Sequence, residues 1–129
     1  CDWSSDVCSS DLCVLLETLR QERNPLIHHI TNYVVMNDCA NVTLALGGSP
    51  IMSALAGEAP ELSRLIGALL LNFGTLSAEQ VNAQTVAGIE AKRNGRMVVF
   101  DPVGVGATKY RRQSANGELR GGAQEGGAS

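Results

Sequence analysis

The middle of the chain contains four short apolar runs, and each stops abruptly at polar, glycine or proline residues. The stops read His29-Ile30-Thr31-Asn32, Pro50-Ile51-Met52-Ser53, Asn72-Phe73-Gly74-Thr75 and Asp101-Pro102-Val103-Gly104-Val105-Gly106-Ala107-Thr108. Continuous apolar runs of this length suit strands buried on both faces. Between them the spacing is helical. Val14, Leu15, Leu16 and Leu19 form a stripe ending near Arg23. Thr31 is placed to cap a helix whose apolar positions include Val34, Val35, Cys39, Val42 and Leu46, and Gly47-Gly48 stops it. A helix is expected over Pro60–Gly67. Ser77 and Gln80 have the spacing of a capping box for a helix to Arg93, which Asn94-Gly95 closes. Strands alternating with helices predict an α/β fold of βαβ units around a mostly parallel sheet with right-handed crossovers.

Composition narrows the function classes. A formal charge of -3 gives no basic face for nucleic acid. Runs such as Ala68–Leu71 fall far short of the roughly 20 residues of a membrane span. No basic segment precedes an apolar stretch at the N-terminus, so no secretory signal is read and a cytoplasmic location is expected. At 129 residues the chain fits one domain. Its 14 glycines and 4% aromatics suit tight turns at a sheet edge better than a β-sandwich. Cys1, Cys8, Cys13 and Cys39 show no C-x-x-C spacing and are read as free thiols.

The ends differ from the middle. Residues 1–12, CDWSSDVCSSDL, are polar and aperiodic and resemble the translation of a sequencing-library adapter. They are set aside as a non-native or disordered leader. Residues 111–129 hold five glycines, and Leu119 is their one large apolar residue. They are expected to form a disordered or frameshifted tail. The folded unit is placed at 13–110 and is expected to be truncated.

Ligands of open α/β sheets bind beyond the carboxyl ends of the strands, so the four stops are the candidate site. Asp101 carries the strongest chemistry. A carboxylate directly after a strand can hold Mg²⁺ or orient a hydroxyl, and Gly104 and Gly106 let backbone approach a ligand. Asp-Pro also starts ordinary turns, and on spacing alone the two readings stand level. The loop is neither a Walker A motif nor a Rossmann fingerprint. His28 and His29 point to opposite faces of a strand, so at most one can face a given pocket, and they are read as structural or surface histidines. Asn32 can bind a ligand or cap a helix. Met52 can fill core or lie against a heterocycle. Cys39 is read as packed.

The succession His29-Ile30-Thr31-Asn32-Tyr33-Val34-Val35-Met36-Asn37, Ala45-Leu46-Gly47-Gly48-Ser49-Pro50-Ile51-Met52, Leu71-Asn72-Phe73-Gly74-Thr75-Leu76 and Asp101 to Thr108 resembles hydroxyethylthiazole kinase from about Leu15 to Tyr110. The resemblance implies a ribokinase-like fold and ATP- and Mg²⁺-dependent phosphorylation of 4-methyl-5-(2-hydroxyethyl)thiazole in thiamine salvage. It implies homotrimers with sites between subunits. It places Asn32, Val34 and Met52 at the thiazole, Asp101 at the phosphates and Mg²⁺, and Gly104 and Gly106 along that edge. The family's Gly-Thr-Gly-Cys motif is absent, and Arg120-Gly121 with Glu125 echoes its Arg-Gly-Asn segment only by chance. The expectation is therefore an inactive N-terminal part of such a kinase. The alternatives are a non-catalytic thiazole-binding or interaction protein, or another ribokinase-like small-molecule kinase.

Overall fold

The computed structural model describes residues 5–21 and 24–121. Its elements run α1 (Ser5–Gln21), β1 (Leu26–Ile30), α2 (Met36–Leu46), β2 (Ser49–Met52), a 3₁₀ turn (Ala56–Glu58), α3 (Ala59–Leu65), β3 (Ala68–Asn72), α4 (Ala78–Arg93), β4 (Met97–Asp101) and α5 (Lys109–Gly121). The strands form one sheet of order β2-β1-β3-β4, every pair parallel. Alternating βαβ units around a parallel sheet are thus present as the apolar runs predict. A common strand direction brings all four carboxyl ends to one edge.

Alternation along each strand decides which helix it meets. His28, Ile30, Leu69 and Leu71 turn to one face, where Ile30, Leu69 and Leu71 join a core with Ala59, Ile66, Ala83, Ala87 and Ala91. The three alanines of α4 repeat every four residues, so one small-residue stripe lets that helix lie close to the sheet. His29 turns to the opposite face and reaches Thr43 of α2. The core closes under the site with Phe73 packed edge-on against Phe100, ring centroids 4.9 Å apart.

Helix ends show which local signals operate. Ser77 Oγ accepts from the Gln80 N–H at 3.1 Å, as the capping pattern requires. The Gln80 side chain does not return to Ser77; it crosses to the Thr31 carbonyl instead. Gly47 takes a left-handed conformation (φ 100°), and the N–H groups of Gly47 and Gly48 close the last turn of α2 on Leu44 O and Thr43 O. Arg96 donates to the Ser63 and Arg64 carbonyls, covering the C-terminal end of α3 with a cation.

Four sequence expectations are corrected. Thr31 does not cap α2, because its hydroxyl donates to the Asn32 carbonyl. Within the segment set aside as a leader, Ser5–Leu12 is helical and continuous with the rest of α1, whereas Trp3 lies outside the described residues. Within the expected disordered tail, Arg111–Gly121 belongs to α5, whose Ala115 is buried. Finally, β4 is not a buried strand. It is one edge of the sheet, with Met97, Val98 and Val99 at 69%, 37% and 47% exposure. Of the predicted α1 stripe, Leu16 and Leu19 are half-buried, while Val14 and Leu15 stay exposed.

An exposed apolar edge strand is a template for pairing with other chains. The chain is therefore expected to self-associate through β4. Val99→Lys should lower light scattering at fixed protein concentration and shift stability by no more than about 0.5 kcal/mol. Unchanged scattering would place the association elsewhere.

Candidate functional site

The site is built from three strand ends. Asn72 is in register with Asp101, so both side chains leave the sheet on the same face and in the same row. Asn72 Nδ2 donates to Asp101 Oδ2 at 2.8 Å. Asn72 Oδ1 accepts from Asn32 Nδ2 at 2.9 Å and from the Gly74 N–H at 2.8 Å. Asn32 Oδ1 in turn accepts from the Val34 and Val35 N–H groups at 3.0 and 3.1 Å. One polar row thus runs from β4 across β3 to the loop that enters α2. Because every member has a defined donor or acceptor role, the amide orientations of both asparagines follow from their partners.

Two features hold the row's loops. A Cβ on Gly74 would lie 2.5 to 2.8 Å from the Asn32 side chain, so only glycine permits this close approach. Arg111 of α5 lays its guanidinium across both neighbouring loops, donating to Phe73 O at 2.5 Å, Val103 O at 3.0 Å and Gly74 O at 3.0 Å. That joins the loop after β3 to the loop after β4.

The backbone and the side chain of Asp101 have different partners. The turn after β4 closes through backbone, with the Val103 N–H on Asp101 O and the Val105 N–H on Pro102 O. The carboxylate is exposed and is held by Asn72 rather than by the turn. It therefore remains available for ligand chemistry. Gly104 has φ 68°, so glycine is favoured there by backbone conformation, while a Cβ would meet Arg111 only at ordinary van der Waals distance. A Cβ on Gly106 would meet no atom within 4 Å, so packing within this chain does not require that glycine.

The remaining predicted residues surround the row. Met52 is in register with His29, on the row behind Asn72 and Asp101 and on the same face. It is half-buried, whereas Val34 is 85% exposed. Cys39 is half-buried and Cys13 exposed; both are free thiols, and Cys1 and Cys8 fall outside the described side chains. Asn72, Gly74 and Arg111 were not singled out from the sequence. Asn72 has no sequence signal beyond its place after an apolar run, and Arg111 lies in a polar, glycine-rich stretch.

Both histidines are buried and structural. Burial lowers the pKa of His28, opposed by the Ser53 carbonyl and by Glu58, and burial with the neighbouring His28 lowers that of His29. His28 Nε2 lies 2.8 Å from Ser53 O, so it carries the proton. Thr43 Oγ1 gives its one proton to Cys39 O, so His29 Nε2–H donates to it at 3.1 Å. The His29 Nδ1 lone pair is then buried without a protein partner.

Among the described residues, no three His, Cys, Asp or Glu side chains converge to hold a metal. Mg²⁺ needs fewer protein ligands, because it keeps waters and is shared with phosphates. One exposed carboxylate on a rigid strand end, Asp101, fits such a contribution. No helix among the described residues is long and apolar enough to cross a membrane.

The lowered histidine pKa values fix the sign of a pH effect. The unfolded chain takes up protons near the ordinary value of 6.5, before the folded chain does. The histidine contribution is thus present above that pH and is lost as pH falls below it, towards the folded values. The melting temperature should fall between pH 7 and pH 5. His28→Gln and His29→Gln should flatten that dependence, and an equally steep profile in the double variant would assign it to other groups.

The model of the hydroxyethylthiazole kinase family matches residues 16–124. This match extends past Tyr110 into the segment read from sequence as a tail. A hydroxyethylthiazole kinase of Methanocorpusculum labreanum is 50% identical over 97 residues, 75% of this chain and 37% of that protein. One of Desulforudis audaxviator is 57% identical over 90 residues, 70% of this chain and 33% of that protein. The solved structure of a hydroxyethylthiazole kinase protein from Pyrococcus horikoshii OT3 superposes with a TM-score of 0.82 at 41% identity, covering 88% of this chain and 44% of that one. The chain thus spans about a third to under a half of the length of these relatives.

Proposed function

Since the chain belongs to the hydroxyethylthiazole kinase family, we propose that it is the N-terminal part of an enzyme that transfers phosphate from ATP to the hydroxyethyl group of 4-methyl-5-(2-hydroxyethyl)thiazole, in thiamine salvage. The observation that carries this reading is the polar row itself. A carboxylate at one strand end is tied through Asn72 to Asn32 at another, on one face and one edge of a parallel sheet. Such a row can hold a small alcohol at one end and phosphate charge at the other.

In this reading Asn32 and Val34 line the thiazole side, and the thioether of Met52 lies against the ring. Asp101 is the catalytic carboxylate on the phosphate side, kept in place by Asn72. The loop with Gly104 and Gly106 lets backbone N–H groups approach phosphate oxygens. Asp101 is also the residue that would hold Mg²⁺, which when bound supplies positive charge against the transferring phosphoryl group. The relatives' remaining length would complete the ATP side and cover β4. Residues 1–12, outside the matched stretch, are proposed to be foreign to the enzyme. The complete protein is proposed to be a cytoplasmic homotrimer with no nucleic-acid or membrane partner.

Kinetics test the assignment. The chain alone should show no ATP-dependent phosphorylation of the thiazole alcohol. In a protein carrying this segment at the relatives' full length, Asp101→Asn keeps size and the Asn72 contact but removes the charge. Its kcat should fall at least about tenfold, roughly 1.4 kcal/mol in barrier, with thiazole binding nearly intact. Near-normal turnover with Mg²⁺ titrated would return Asp101 to a turn role. Thiazole binding without any transfer by the longer protein would favour the non-catalytic reading.

Met52 has its own signature. Met52→Ala removes an apolar contact from a small pocket, a loss of roughly 1–3 kcal/mol. The thiazole KM should rise while the ATP KM and kcat move little. A shift confined to the ATP KM would remove Met52 from the thiazole side.

A further inference from the structure

Two buried glutamines lie behind the polar row. Gln80 and Gln84 are 2% and 0% exposed and sit one turn apart on α4. Gln84 Nε2 donates to the Asn72 carbonyl at 3.0 Å, and Gln80 Nε2 donates to the Thr31 carbonyl at 3.3 Å. Both partners are carbonyl oxygens, so the atoms facing them must be the NH₂ groups. The Oε1 atoms of both glutamines are buried with no protein partner.

A buried amide with half its capacity unmet is costly, and an apolar side chain of the same size would pack without that cost. The other buried residues of α4 facing the sheet are apolar, Ala83, Ala87 and Ala91, with Val86 packed against the same core. The amides occur only in the first two turns, beside the carboxyl ends of β1 and β3. The carbonyls they grip belong to the peptides Thr31–Asn32 and Asn72–Phe73. Each of those peptides adjoins the Cα of an asparagine in the polar row. In β3, Leu69 and Leu71 face α4, so the adjacent Asn72 side chain projects to the other face. The glutamines thus hold the peptide planes from behind while the asparagine side chains act in front.

We propose that Gln80 and Gln84 are positioning residues that set the orientation of Asn32 and Asn72, and through Asn72 that of Asp101. Their place in catalysis rests on the kinase reading. Their effect on the row does not, and the test reads the row directly, so either can fail alone.

The experiment is NMR of the chain with side-chain amides resolved. In Gln84→Met, the Asn72 Nδ2 protons should exchange with water at least about tenfold faster, while backbone amides of Leu69 and Leu71 keep their protection. In Gln80→Met, the same change should appear at Asn32. An unchanged Asn72 and Asn32 in folded variants would overturn the proposal. A loss of strand protection in step with the asparagines, or failure of both variants to fold, would also overturn it. The glutamines would then hold the fold rather than the site.

Discussion

Asn72 uses both ends of its amide on side chains from neighbouring strand ends, and the candidate site depends on that bridge. Its donor fixes the Asp101 carboxylate, and its acceptor takes both Asn32 and the Gly74 N–H. The geometry is a property of register. Parallel pairing sets Asn72 opposite Asp101, and a slip of one residue would send one of them to the other face. Register here is set by the apolar alternation of Leu69 and Leu71 against α4. The chemistry of the edge therefore depends on core packing one and three residues away.

The bridge also explains the loops. Gly74 is required because Asn32 occupies the space a Cβ would need, and Asn32 is there because it bonds Asn72. Arg111 then ties the Gly74 loop to the Val103 loop through backbone carbonyls. Five N–H donors in a planar fork can hold two loops at once, and a lysine could not reproduce that geometry. Sheet, loops and α5 thus converge on one edge with few independent parts.

Much of the fold was legible in the sequence because its signals are local. Four apolar runs marked four strands, Ser77 and Gly47 marked helix ends, and strand-end placement led to Asp101, Asn32 and Met52. What was not legible is relational. Gln80 has capping-box spacing, yet a strand-end carbonyl competes for its side chain and wins. Asn72 looks like any loop asparagine until its register with Asp101 is known. Arg111 lies in a polar, glycine-rich stretch whose composition argues against order, yet carbonyls from two other loops hold it. The exposure of β4 depends on sheet order, which an apolar run does not encode.

The two sheet faces divide the work at this edge. The α4 face is the packed one, carrying Ile30, Leu69, Leu71 and the buried glutamines. The other face carries His29, Met52, Asn72 and Asp101, and beyond α2 its apolar surface opens at Met97 and Val99. A parallel sheet gains stability when both faces are covered, and here the face that carries the polar row stays open at β4. The bonds of the polar row all lie within residues 32–101, so every contact that sets its geometry comes from this one edge.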